Sequence, residues 1–92
     1  MATKVARALG RSFRFEQGFF ADEKADPKDQ VLQVKTYTEA YFRALARRPD
    51  LKEALSLAER VRVQVAPGRT LVVSPEGPEE VEEAALERFL SR

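Results

Sequence analysis

The chain has neither cysteine nor histidine, and these two absences exclude much of the chemistry that proteins use. Without cysteine it can form no disulfide, no thiolate nucleophile and no thiolate metal site. Without histidine it lacks the usual general base and the commonest transition-metal ligand. Its four glycines form no phosphate-binding loop, and no serine or threonine has a partner that resembles a base. We therefore predict a protein that is not an enzyme and that binds no cofactor.

Long apolar runs are absent too. No segment approaches the roughly 18 apolar residues of a membrane span, and the N-terminal stretch MATKVARALGRSF has no apolar core of signal-peptide length. These features predict a cytoplasmic protein with no membrane partner. Asparagine and isoleucine are also missing, and arginine outnumbers lysine by 11 to 5. Few thermolabile residues among many charges favour a thermophilic source, although a GC-rich genome would bias the codons similarly.

The 92 residues suffice for one small domain, 1–92, with a thin core. A content of 43% hydrophobic and 34% charged residues is typical of a soluble globular protein. The net charge of +1 is unevenly spread, because residues 31–73 carry +4 and residues 74–92 carry −4. We expect the acidic C-terminal segment to repel a polyanion if it packs near the basic part of the chain.

The stretch RVRVQVAPGRTLVVS, residues 60–74, reads as a β-hairpin because polar residues alternate with valines before Pro67-Gly68. A loop over 67–69 places its apolar residues on one face, namely Val61, Val63, Val65, Leu71 and Val73. A strict two-residue loop would invert the second strand, and a type II Pro-Gly turn matches the hairpin twist poorly. The pattern therefore favours the longer loop.

A second strand is predicted near 12–16, where Phe13 and Phe15 alternate with polar residues. Helices are predicted at about 27–47, 50–59 and 78–90, each beginning at a cap residue or a first-turn proline. In the first helix Tyr37 and Tyr41 lie on or beside the apolar arc, so we assign them to the core. The segment VLQVKTYT is rich in β-branched residues, so a strand at 30–37 that leads into a shorter helix near Thr38 is the alternative.

These elements predict an α+β fold, in which a small antiparallel sheet, made of the 60–74 hairpin and the 12–16 strand, carries three helices on one face. Each of six residues lies on the apolar side of its own element and should be buried. They are Tyr41, Leu55, Val63, Leu71, Val73 and Phe89.

Two groups of charged residues are candidate sites. A possible anion or nucleic-acid face comprises Arg43, Arg47, Arg60, Arg62 and Arg69, since the planar guanidinium suits phosphate. Composition favours the simpler interpretation that these arginines form a solvated surface or pair with nearby carboxylates. The second group could hold a hard cation, but its spacing lacks the EF-hand pattern, and we predict no metal site; its members are Asp22, Glu23, Asp26 and Asp29.

Phe19 and Phe20 lie outside any clear periodic stripe, beside a polar loop. They either cover the edge of the core or anchor a partner subunit, because aromatic residues concentrate at interface centres. Taken together, the sequence predicts a non-catalytic protein-binding or assembly module, with a homodimer or another protein as partner. The alternative function is a nucleic-acid binder that uses the arginine face.

Overall fold

A computed structural model describes residues 5–91 of the chain. The elements in chain order are β1 (Val5–Ala8), β2 (Arg11–Glu16), β3 (Phe19–Asp22), β4 (Gln30–Lys35), α1 (Glu39–Arg47), a 3₁₀ turn (Pro49–Leu51), α2 (Lys52–Leu55), β5 (Val61–Ala66), β6 (Arg69–Ser74) and α3 (Glu83–Leu90). The fold is therefore α+β with three helices, as predicted. Within the described range no helix has both the length and the apolar character needed to cross a bilayer.

The sheet is larger than predicted, and it is mixed rather than antiparallel. Its six strands lie in the order β1-β2-β3-β5-β6-β4. The pairs β3–β5 and β4–β6 are parallel, whereas the other three pairs are antiparallel. Parallel neighbours need long crossover connections, which local sequence patterns do not reveal. This topology leaves β1 at one edge of the sheet and β4 at the other.

The N-terminal part of the sheet is a meander that depends on two residue–glycine turns. Leu9 and Gly10 join β1 to β2, and Gln17 and Gly18 join β2 to β3, all four with positive φ. Two consecutive positive-φ residues make the type I′ turn, whose twist matches that of the flanking strands. The sequence pattern predicts only β2 of these three strands, because the first residue of each turn, Leu9 or Gln17, is not a typical turn former.

The hairpin of β5 and β6 has the predicted buried and exposed faces, but its loop is shorter than predicted. Val63 pairs with Leu71, and Val61 pairs with Val73, on the helix side of the sheet. The connection is nevertheless the short Pro67-Gly68 loop, with a register shift between Gln64 and Ala66. One extra residue in β5 forms a bulge, and the bulge restores the register that the two-residue loop would otherwise invert.

The predicted helix at 27–47 is wrong, and its stated alternative is confirmed. Residues 30–35 form β4, which pairs with β6 over its whole length, and α1 begins only after Thr38. Tyr37 has a φ of 63°, so the chain leaves the strand through a left-handed residue before it enters the helix. Six residues of this segment pair with β6, a strand far along the chain, and this pairing overrides the local helix signal at Pro27.

The other two helices are shorter than predicted for reasons of tertiary contact. In place of a helix at 50–59, a 3₁₀ turn and the four residues of α2 end at Leu55. The Glu59 carbonyl accepts a 2.7 Å hydrogen bond from the Thr36 hydroxyl, so the chain must have returned to the sheet by that residue. In place of a helix at 78–90, α3 begins at Glu83, because the Pro78 carbonyl accepts a 3.3 Å hydrogen bond from the Lys35 N–H.

The core lies between one face of the sheet and the three helices. All six residues predicted to be buried are buried: Tyr41, Leu55, Val63, Leu71, Val73 and Phe89. Arg48 ties the layers together, because its guanidinium donates to the carbonyls of Val65 in β5 and Leu90 in α3. The opposite side of the sheet, which no helix within residues 5–91 covers, is called the uncovered face below.

Candidate functional site

The five arginines of the predicted anion face divide between the two sides of the sheet. Arg62 alternates with the buried valines of β5, so it lies on the uncovered face, and Arg60 has the same parity. Arg69 belongs to the helix side, where its guanidinium donates a 2.6 Å hydrogen bond to the carbonyl of Arg88 at α3. Arg43 and Arg47 are exposed on α1. The fold therefore does not bring these arginines into one continuous surface.

Besides Arg69, three of these arginines have carboxylate or aromatic partners within the chain. Arg60 is paired with Glu76, and this hydrogen bond raises the pKa of the guanidinium and lowers the pKa of the carboxyl. Arg62 lies over the ring of Phe19, 4.4 Å from its centroid. Arg43 lies 2.7 Å from a carboxylate oxygen of Glu39. Much of the positive charge is thus balanced by neighbouring carboxylates or aromatic rings.

The two adjacent phenylalanines of the predicted interface point to opposite sides of β3. Phe20 is buried in the core, with its ring 5.2 Å from that of Phe15. Phe19 is half-buried on the uncovered face beneath Arg62. Phe20 is therefore part of the core, and only Phe19 remains accessible to a partner.

Three of the four clustered carboxylates accept hydrogen bonds within the chain, and Asp26 does so from the backbone N–H of Lys28. The Asp22 side chain is buried, forms an ion pair with Arg11, and accepts hydrogen bonds from the backbone N–H groups of Lys24 and Gln64. Asp29 accepts a 2.8 Å hydrogen bond from the Thr70 hydroxyl, and this bond lowers the pKa of its carboxyl. The part of the chain that the structure describes contains no group of carboxylates arranged to hold a metal ion.

The two tyrosines assigned to the core from the sequence differ in exposure. Tyr41 is buried, and this burial raises the pKa of its hydroxyl, whereas Tyr37 is 63% exposed. Phe42 is 55% exposed, and the rings of Tyr37 and Phe42 both make edge-to-face contacts with Tyr41. A small aromatic patch therefore lies at the start of α1. The assignment of Tyr37 to the core is wrong, because residue 37 lies between β4 and α1 and not within a helix at 27–47.

The two edges of the sheet differ in how they are protected against pairing with another chain. Edge strands are usually kept short, or carry charge, proline or a bulge. β1 carries an exposed charged residue, Arg7. β4 has six residues, of which 30–34 (QVLQV) are uncharged, and it pairs with β6 in unbroken register. β4 is thus an unprotected edge.

The backbone of β4 presents a short row of hydrogen-bonding groups at this edge. The N–H of Gln30 donates to Gly68 at 2.8 Å, and that of Thr36 donates to Ser74 at 3.0 Å, so even-numbered residues face β6. Because parallel pairing alternates, the N–H and C=O groups of Val31, Gln33 and Lys35 face away from the sheet. The Lys35 N–H is bonded to Pro78. Val31 and Gln33 are the β4 residues that remain available to a partner strand.

A groove of about 320 Å³ lies between this edge and α3. Val31 and Leu32 form its strand side, and Ala85 and Phe89 form part of its helix side. Val31 is 50% exposed, and Leu32 is only partly buried against the core. The edge thus combines unpaired backbone groups with exposed aliphatic side chains, which is the combination that a strand-pairing partner needs.

The helix predicted at 27–47 contains the residues of β4, so the sequence did not predict this site. The available signal was the β-branched segment VLQVKTYT, which supported the strand alternative but did not show that the strand lies at an edge. Comparisons of the chain with protein-family models, with curated proteins and with solved structures find no match. The function must therefore be argued from the geometry of the site.

Proposed function

We propose that the protein is a non-catalytic protein-binding or assembly module that forms a homodimer through the free edge of β4. The observation that carries this proposal is the uncharged 30–34 segment, whose outward backbone groups at Val31 and Gln33 adjoin a groove. Apolar side chains line this groove together with Gln30, Arg69 and Arg88. A strand added there would satisfy those groups and bury aliphatic surface together. A small domain with a thin core gains stability from such burial.

The contrast with β1 supports the choice of edge. Val5 and Val31 are similarly exposed, at 55% and 50%, but Val5 belongs to the strand that carries Arg7. Charge disfavours strand addition at β1. The two valines therefore form a matched pair for experiment, because one lies at the proposed interface and the other at the protected edge.

Sedimentation velocity at tens of micromolar tests the proposal. The wild-type protein should sediment as a species of about twice the 10.4 kDa chain mass, and dilution should dissociate it. The double variant Val31→Lys/Gln33→Lys should shift the protein to monomer, because lysine at an edge opposes pairing. Val5→Lys is the control and should leave the dimer intact. A wild-type protein that is monomeric at every concentration contradicts the proposal.

Nucleic-acid binding is the second candidate, and one observation favours it. Arg14 pairs with Ala21 in register, and Ala21 pairs with Arg62, so two arginines flank a small residue on the uncovered face. Guanidinium groups placed in this way could contact a phosphate backbone. The in-chain partners of Arg43, Arg60 and Arg62 weaken this candidate, and we rank it below assembly.

A further inference from the structure

We infer that the two copies pair β4 with β4 in antiparallel orientation, with Leu32 on the two-fold axis. The inference rests on the proposed homodimer and adds its register. In this arrangement Val31 of each copy faces Gln33 of the other, and the two Leu32 residues face each other. The two six-stranded sheets then become one continuous sheet.

The register follows from which backbone groups are available. Two antiparallel edges pair outward-facing residues with outward-facing residues. On β4 these are Val31, Gln33 and Lys35, and Pro78 occupies the position next to Lys35. A register centred on Gln33 would pair Val31 with the blocked Lys35. A register centred on Val31 would pair Gln33 with Asp29, which lies outside the strand. Only the register centred on Leu32 uses both free residues of each copy.

The side chains are compatible with this register. Leu32 lies on the helix side of the sheet because it pairs with Leu71, and it borders the groove beside Ala85 and Phe89. In a non-hydrogen-bonded antiparallel pair the two Cα atoms approach to about 4.5 Å. The leucines would therefore contact each other and narrow both grooves.

Charge also favours a second copy as the occupant. Residues 30–34 are uncharged, so two identical segments meet without like-charge repulsion. The antiparallel arrangement brings Asp29 of one copy toward the end of β4 at which Lys35 of the other lies. Within its own chain Lys35 is paired with Glu79, and Asp29 accepts a hydrogen bond from Thr70. The charges that flank the paired segment are thus opposite in sign at both ends, which a parallel arrangement would not achieve.

Disulfide trapping gives a direct test, because the chain contains no other cysteine. The Leu32→Cys variant is oxidised with diamide, which accepts the two electrons and two protons released when two thiols form a disulfide. Facing residues at this Cα separation lie within the range that a disulfide spans. We expect rapid formation of a covalent dimer under native conditions and slow formation in urea.

Two single-site variants, Val31→Cys and Gln33→Cys, are the matched controls. In the proposed register, position 31 of one copy faces position 33 of the other. A cysteine at either position alone therefore does not face the same cysteine in the second copy. Residues two positions apart along paired strands lie about 7–8 Å from each other, beyond easy disulfide reach. Each control alone should cross-link at least about tenfold more slowly than Leu32→Cys. An equal mixture of the two controls should yield the heterodimer faster than either homodimer.

The outcomes separate the register from the proposed function. If wild-type protein is dimeric but Val31→Cys or Gln33→Cys cross-links fastest, the register is wrong and assembly through β4 stands. If it is dimeric and all three variants cross-link slowly, another surface forms the dimer, which overturns the inference and moves the interface away from β4. Circular dichroism checks that Leu32→Cys is folded. Should it unfold, the heterodimer yield in the mixture decides the register alone.

Discussion

The carboxylate of Asp22 accepts a 3.0 Å hydrogen bond from the backbone N–H of Gln64. β3 and β5 pair in register only at Phe20 with Val61 and Ala21 with Arg62. Beyond these two pairs, the Asp22 side chain accepts the hydrogen bond from Gln64 that a backbone carbonyl would accept if β3 continued to pair with β5. The same carboxylate is paired with Arg11 in β2, so one buried acid joins three strands.

Removal of this carboxylate should therefore destabilise the protein strongly. Asp22→Ala leaves buried N–H groups and the Arg11 guanidinium without their acceptor, and we expect a loss of about 2–4 kcal/mol. Asp22→Asn keeps an acceptor oxygen and should lose less. Urea denaturation measures both. Equal stability of wild-type protein and Asp22→Ala would show that the carboxylate does not hold the strands together.

Gly77 and Gly68 should be intolerant of substitution for different reasons. A Cβ at Gly77 would lie 2.7 Å from the carbonyl carbon of Val34, whereas one at Gly68 meets nothing within 4 Å but sits at a φ of +78°. We expect Gly77→Ala to lose about 1–3 kcal/mol by overpacking and Gly68→Ala about 1–2 kcal/mol by backbone strain.

Asparagine distinguishes the two causes, because it tolerates the left-handed region. Gly68→Asn should recover part of the stability lost in Gly68→Ala, whereas Gly77→Asn should be no better than Gly77→Ala. Thermal unfolding of the four variants provides the comparison. A higher stability of Gly77→Asn than of Gly77→Ala would mean that the backbone at residue 77 can move away from β4.

The stability lost when a strand side chain is truncated should depend on the face of the sheet that carries it. Leu71→Ala and Val63→Ala remove fully buried side chains from the helix side, and each should lose about 1–4 kcal/mol through transfer and cavity effects. Val72→Ala, on the uncovered face, is the control and should lose less. Denaturation midpoints that do not change for Leu71→Ala and Val63→Ala would refute the assignment of faces.

Asp29 should make stability depend on pH in the acidic range. Its folded-state pKa lies below the ordinary value of 3.8, chiefly because Thr70 donates to the carboxylate. A lowered folded pKa contributes stability that is present above the unfolded-state pKa and is lost as pH falls through the folded-state pKa.

The Asp29→Asn variant isolates this contribution. The stability difference between wild-type protein and the variant should be largest near neutral pH and should shrink below about pH 4. Glu23→Gln removes a carboxylate from the same loop and is the comparison. A difference that stays constant from neutral to acidic pH would contradict the assigned hydrogen bond to the ionised form.

Nucleic-acid binding should be weak, because so many of the arginines have partners within the chain. Fluorescence anisotropy with single-stranded and duplex oligonucleotides should give affinities weaker than about micromolar near physiological salt. If binding is tight, steeply salt-dependent, and lost on replacing Arg60, Arg62 and Arg69 with glutamine, the ranking of the two functions is reversed. Arg14→Gln/Arg62→Gln and Arg43→Gln/Arg47→Gln then locate the binding face.

The sequence by itself determined the faces of the β5–β6 hairpin and the burial of the six residues predicted for the core, but not that of Tyr37, which is exposed. In a strand with one buried face the side-chain period is two, so a one-residue error in register would expose every valine. The buried face therefore fixes the register of the two strands, and a bulge near Val65 compensates for the two-residue loop. The alternative of a shorter helix near Thr38 agrees with α1, whose buried residues Ala40, Tyr41 and Ala44 repeat at helical spacing.

Tertiary structure alone decided that residues 30–35 are a strand, that this strand lies at an edge, and that its edge is unprotected. The segment has a helix start at Pro27 and a strand composition after it, and local preferences of similar strength cannot choose between them. Pairing with β6 made the choice, through residues nearly forty positions away. Which face of a strand is free depends on the order of the strands, and non-local hydrogen bonds set that order, not the side chains of the strand itself.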